Sequence, residues 1–143
     1  MIFYVDSGAV LAHYIRDGYI PVTDTKTPEE LLPLTPPVFH ILLGLADGER
    51  HGYGIMQEVA RQTNDALQLG PGTLYGCLKR MGAAGLVEES EARPDPAIDD
   101  ERRRYYRMTE FGLRVLRAEA ERLANAVRLA QAKHLLPQGK GAL

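Results

Sequence analysis

Leu113, Leu116, Ala120, Leu123, Val127, Ala130 and His134 follow one another at spacings of three and four, a 3.5-residue repeat near the C-terminal end of the chain. Only a helix brings such positions onto one seam, and a seam of that period wants a second helix against it. A small domain cannot cover so long a stripe from within, and a large exposed apolar patch is uncommon on a soluble monomer. The repeat therefore predicts a long C-terminal helix with a homodimer interface along these residues. The competing reading is a helix that packs on its own domain alone.

The punctuation upstream shows what this helix is attached to. Thr35 offers an N-cap oxygen ahead of Pro36, and Val38, Ile41, Leu42 and Leu45 follow at helical spacing until Asp47-Gly48, which predicts a first helix over 36–46. Ile55, Met56, Val59 and Ala60 mark a second helix over 52–63, with Asn64 and Asp65 as stop signals. Gly70-Pro71 opens a third over 71–84, in which Leu74, Leu78 and Met81 share a face and Gly85 ends the pattern. Residues 86–90 and 103–108 read as strands, separated by the polar breaker Arg93-Pro94-Asp95-Pro96 and Asp99-Asp100, and so predict a hairpin with a long tip. Thr109 then caps the final helix, which the pattern carries to about Leu136, where Pro137 stops it.

Helix, helix, helix, hairpin, helix is the order of a winged helix-turn-helix. The fold class read from sequence is thus mainly α (α+β), a winged helix-turn-helix with a two-stranded wing and a long C-terminal dimerisation helix. The chain divides into an N-terminal extension (1–34) with neither a helical period nor a hairpin signal, a winged-helix domain (35–109), the dimerisation helix (110–136) and a flexible tail (137–143).

Composition excludes several other classes. A chain of 143 residues, 45% hydrophobic and 25% charged, has room for one core of ordinary size. The N-terminal apolar stretch Ala9–Ile15 is far shorter than the ~20 residues of a membrane-spanning helix. No basic segment precedes Ile2-Phe3-Tyr4-Val5 to make a secretory signal, so a cytoplasmic protein without a membrane partner is expected. One cysteine and four scattered histidines give no disulfide and no zinc spacing, and no GxSxG, HExxH or P-loop pattern occurs. Neither an enzyme nor a cofactor or metal site is expected.

Net charge is only −2, yet the window 101–117 holds six arginines against Glu101 and Glu110, a local cationic surplus. On the third helix a 100° wheel places Gly72, Gly76, Lys79 and Arg80 away from the Leu74 face. Glycine inside a helix costs about 1 kcal/mol relative to alanine, so Gly76 marks close approach either to a DNA backbone or to a neighbouring helix. Arg102, Arg103 and Arg104 sit where a wing reaches phosphates or a narrow minor groove; the alternative is a solvated run neutralised by Asp99, Asp100 and Glu101. Tyr53 and Tyr75 are candidate phosphate contacts, and Tyr105 and Tyr106 are expected to divide between wing surface and core. Cys77 reads as a packing residue or a redox-sensing thiol, and His51 as a helix-start residue.

Three stretches in order are similar to the PadR family of bacterial transcriptional regulators, in its shorter branch with one C-terminal helix. They are His51-Gly52-Tyr53-Gly54, Leu69-Gly70-Pro71-Gly72-Thr73-Leu74-Tyr75 and Arg104-Tyr105-Tyr106-Arg107-Met108-Thr109-Glu110-Phe111-Gly112. The resemblance spans residues 35–136. Gly70 stands where the family often has serine, Gly76 is smaller than the usual residue, and residues 1–34 have no family counterpart. The resemblance implies a homodimeric repressor on a pseudo-palindromic operator, with double-stranded DNA as partner and an affinity that can respond to a small-molecule effector. The implied contacts to DNA come from Tyr53, Gly72, Thr73, Tyr75, Gly76, Lys79, Arg80 and the wing arginines 102–104. The alternative functions are a winged-helix module that binds protein, or one that binds a small molecule, without specific DNA binding.

Overall fold

The computed structural model describes residues 2–5, 10–15, 18–21, 26–91 and 104–137. The chain forms two compact units, Met1–Leu32 and Pro33–Leu143.

The first unit is an antiparallel meander of β1 (Ile2–Val5), β2 (Val10–Ile15) and β3 (Gly18–Pro21), with β2 central. Its register pairs Ile2 with His13, Val5 with Val10 and Tyr14 with Tyr19. The absence of a hairpin signal in this stretch is thereby corrected. The strands are apolar at almost every position, so no alternation announces them, but the sequence Asp17-Gly18, reaching the first residue of β3, is itself a turn signal. A 3₁₀ turn over Pro28–Leu31 follows, where the Thr27 N–H donates to Glu30 Oε2 at 3.0 Å.

The second unit runs α1 (Pro36–Leu45), β4 (Arg50–His51), α2 (Gly52–Gln62), α3 (Pro71–Ala83), β5 (Val87–Ser90), β6 (Tyr105–Met108) and α4 (Glu110–Ala132). The first helix begins after Thr35 as expected, but the Thr35 side chain makes no capping hydrogen bond; its backbone carbonyl accepts from Phe39 N at 3.0 Å and Pro36 stands at the first helical position. His51 Nδ1 accepts from Gly54 N at 3.0 Å, which makes His51 the N-cap of α2. Asn64 and Asp65 take left-handed φ of 48° and 64° after α2, and Gly85 takes 76° after α3. Around these, Ile41, Leu42, Ile55, Val59, Leu74, Met81 and Val115 are fully buried and form one core shared by all four helices.

Two strands of the expected wing become three. β4 pairs with β6 through Arg50–Tyr106 and His51–Tyr105, giving the order β4-β6-β5. With β6 central, Tyr105 and Tyr106 are both buried rather than divided between surface and core. The His51 ring meets Tyr105 edge-on at 5.6 Å. The last helix is also shorter than its pattern: it ends at Ala132, and His134 sits at φ 59° while Leu135 N donates back to Ala130 O at 2.9 Å. His134 therefore lies past the end of the seam, in a left-handed capping turn.

The buried face of α4 is formed by Gly112, Val115, Leu116 and Glu119. Leu116, expected at the dimer seam, is instead taken into its own core. Glu119 is 2% exposed and accepts Arg122 Nε and Nη2, both at 2.8 Å, and the Leu34 N–H at 3.3 Å. Glu58 on α2 is buried in the same manner, receiving Arg61 Nε at 3.0 Å and facing Arg50 Nη2 at 3.7 Å. The hydrogen bonds from Arg122 and Arg61 hold the carboxyls of Glu119 and Glu58 below the ordinary glutamate range, against the opposing effect of burial.

A lowered folded-state pKa contributes stability that is present above the unfolded value of about 4.3 and is lost as pH falls through the lowered values. Thermal unfolding followed from pH 7 to pH 2 is expected to hold its midpoint down to about pH 4.3 and decline below it. Glu119→Gln is expected to melt lower at pH 7 and to decline less in acid.

Candidate nucleic-acid interface

One side of α3 is almost bare of side chains. A Cβ added at Gly70 or Gly72 would meet nothing within 4 Å, and one at Gly76 would meet only Arg80 Nη1, at 3.5 Å. Among the described residues no neighbouring helix occupies this face, so the packing explanation for Gly76 finds no partner among them. Thr73, Lys79 and Arg80 are exposed on the same helix, while Leu74, Cys77, Leu78 and Met81 turn into the core. Cys77 is a buried packing residue, and Arg80 folds back along the helix so that its Nη2 lies 3.4 Å from Cys77 Sγ.

Two tyrosines flank this face. Tyr53, on the first turn of α2, is 61% exposed, and its ring stacks parallel to the His51 ring at 6.4 Å. Tyr75 is 47% exposed, and its hydroxyl lies directly over Gly52 at the start of α2. A Cβ at Gly52 would meet that hydroxyl, so a larger residue there requires the Tyr75 ring to move.

Between α3 and the sheet runs a groove of about 370 Å³ lined by Tyr75, Lys79, Arg104 and Tyr106, together with Leu78, Val87 and the carboxylates of Glu88 and Glu89. Arg104 Nη1 lies 3.3 Å from Glu89 Oε1, a partner that the sequence reading did not assign. The strand register explains the choice, because Glu89 stands opposite Tyr106, two residues from Arg104. Burial, reinforced by the nearby Glu89 charge, pushes the Tyr106 hydroxyl up. Arg102 and Arg103, with their expected partners Asp99, Asp100 and Glu101, lie outside the described residues.

The far end of α4 is the other exposed surface. Leu123 and Val127 are 37% and 47% exposed, Ala120 is exposed, and Leu113 and Ala130 are half-buried. Among the described residues there is no group of three histidine, cysteine or carboxylate side chains able to hold a metal ion, and no helix long and apolar enough to cross a membrane.

Three packed helices, a small sheet against the third, and a long final helix define a winged helix-turn-helix protein. The model of the "Transcriptional regulator PadR-like family" matches residues 41–118, more than half of the chain, and the protein belongs to that family of transcriptional regulators. It is 38% identical over 89 residues to the transcriptional regulator Rv3488 of Mycobacterium tuberculosis, covering 62% of this chain and 77% of that one. It is 33% identical over 72 residues to an uncharacterized protein of Lysinibacillus sphaericus, spanning 50% of this chain and 63% of that protein's length. The crystal structure of a PadR family transcription regulator from Clostridium difficile R20291 shares the fold, with a TM-score of 0.55 at 23% identity over 68% of this chain and 97% of that one.

Since Gly76 has open space beside it and sits inside a helix, Gly76→Ala is expected to raise the thermal midpoint, by roughly 0.5–1 kcal/mol of helix propensity. A lower midpoint in calorimetry would mean that an unseen contact needs the glycine.

Proposed function

We propose that the protein binds duplex DNA as a homodimer and represses transcription by occupying a pseudo-palindromic site. The observation that carries this reading is the face of α3 where Gly72 and Gly76 leave the helix backbone open to another surface, with Thr73, Lys79 and Arg80 exposed on the same helix. A helix cleared of bulk on one side, with cations beside it, suits a major groove whose edges carry bases and whose walls carry phosphates. Exposed Tyr53 and Tyr75 are taken as donors to the DNA backbone, and Arg104, with Arg102 and Arg103 beside it in sequence, as cations for phosphates.

Homodimerisation rests on Leu123 and Val127, exposed apolar residues four positions apart on the outer half of α4, with Ala120 and Ala130 beside them. Pairing two such helices about a two-fold axis would place two α3 helices for successive major grooves, about 34 Å apart. A second reading, a wing that binds protein, is favoured by the carboxylates Glu88 and Glu89 that face Arg107 and Arg104.

Selection from random duplex DNA with the full chain is expected to enrich a sequence with two related half-sites, bound with an affinity that falls steeply with salt. Enrichment of no sequence, with weak and salt-insensitive binding, favours the protein-binding wing. Leu123→Asp, at a position exposed in the single chain, is expected to keep the fold. It would bury an unpaired charge at the dimer seam, a cost of several kcal/mol, so sedimentation should show monomer and DNA affinity should fall with it. A variant that stays dimeric shows that the outer half of α4 is not the interface.

A further inference from the structure

The groove between α3 and the wing already holds an anion of its own. Glu89 Oε1 reaches Arg104 Nη1 at 3.3 Å, and both residues line the groove with Lys79, Tyr75 and Tyr106. Beside it, Arg107 Nε donates to Glu88 Oε1 at 2.7 Å, and Arg107 Nη1 lies 3.9 Å from Glu49. Arg104 and Arg107 thus both face carboxylates before any partner arrives.

A carboxylate and a phosphodiester present the same thing to a guanidinium, paired oxygens sharing a negative charge. The side chains of Arg104 and Glu89 are 71% and 58% exposed, so the pair is screened by water and easily exchanged. Placement inside the groove distinguishes Glu89 from a carboxylate elsewhere on the surface. Its charge reaches the buried Tyr106 hydroxyl and adds to the effect of burial there.

We infer that Glu89 is an internal stand-in for a DNA phosphate: it occupies Arg104 in the free protein, and a backbone phosphate entering the groove must take Arg104 from it. This rests on the DNA-binding reading above. The exchange requires giving up one ion pair and brings the released carboxylate close to the phosphates, whatever the base sequence. Glu89 therefore lowers the affinity of the wing for every duplex alike and leaves discrimination among sequences to α3. It also dampens salt dependence, since the released carboxylate gathers a cation as the phosphate loses one.

The test is fluorescence anisotropy of the full chain against a labelled random-sequence duplex pool at several potassium chloride concentrations, with wild type, Glu89→Gln, Arg104→Gln and the double variant. Glu89→Gln is expected to bind about two- to fivefold tighter at low salt, the range an exposed pair supports. Its slope of log K against log salt should be steeper by up to about 0.9. In the Arg104→Gln background the same change should gain little. Equal gains with and without Arg104 would reduce the effect to bulk charge and overturn the inference, as would a Glu89→Gln variant no tighter than wild type. A wild-type chain that binds no duplex at the lowest salt overturns the DNA reading itself. Unchanged thermal midpoints in all variants confirm that binding, not folding, is being read.

Discussion

The geometry of the second unit depends on one crossing, where Thr109 and Gly112 at the start of α4 meet the turn after α3. Thr109 N donates to Leu86 O at 3.0 Å, its hydroxyl reaches the Gly85 carbonyl, and that same hydroxyl accepts from Gly112 N at 2.9 Å. Gly112 is pressed so hard against this turn that a Cβ there would overlap the Leu86 carbonyl and come within 2.9 Å of Met108 Cγ. One side chain thus ends a strand, caps a helix and ties both to the end of α3. The orientation of α3 relative to α4 follows from it, and so does the pose of any second α3 carried by a partner.

A second constraint is the placement of charge. Glu58 and Glu119 are removed from water and held ionised by Arg61 and Arg122 one helical turn away, whereas Glu88 and Glu89 stay in water and face the wing arginines. The first pair contributes to the cohesion of the core, because a buried carboxylate stripped of its partner costs several kcal/mol. The second contributes little to stability and much to the potential of the surface.

Most of the second unit was legible in the sequence because its helices are marked by local chemistry. Pro36, Gly85 and Thr109 each end or begin an element through a preference that operates within a few residues. The Arg50–His51 strand was not legible, since two residues carry no period and their pairing with β6 is made across the domain. Glu119 follows Gly112, Val115 and Leu116 on the inward stripe, so its burial is visible in the spacing once that stripe, rather than the 3.5-residue seam, is taken as the core face. The link from Glu119 to the Leu34 N–H and the pairing of Arg104 with Glu89 connect residues distant in sequence, and no local rule specifies them.

The inner half of α4 is anchored by its own core, and the outer half, residues 120–132, projects past it with every residue from 120 to 129 exposed. An isolated helix of that length is marginal in water and remains ordered chiefly when something packs on it. In the homodimer proposed above, the order of this segment is linked to the amount of protein present, through mass action on the partner's helix. With that pairing, a cell holding few copies would contain chains whose outer α4 frays, and accumulation of the protein would itself set the point at which the pair forms.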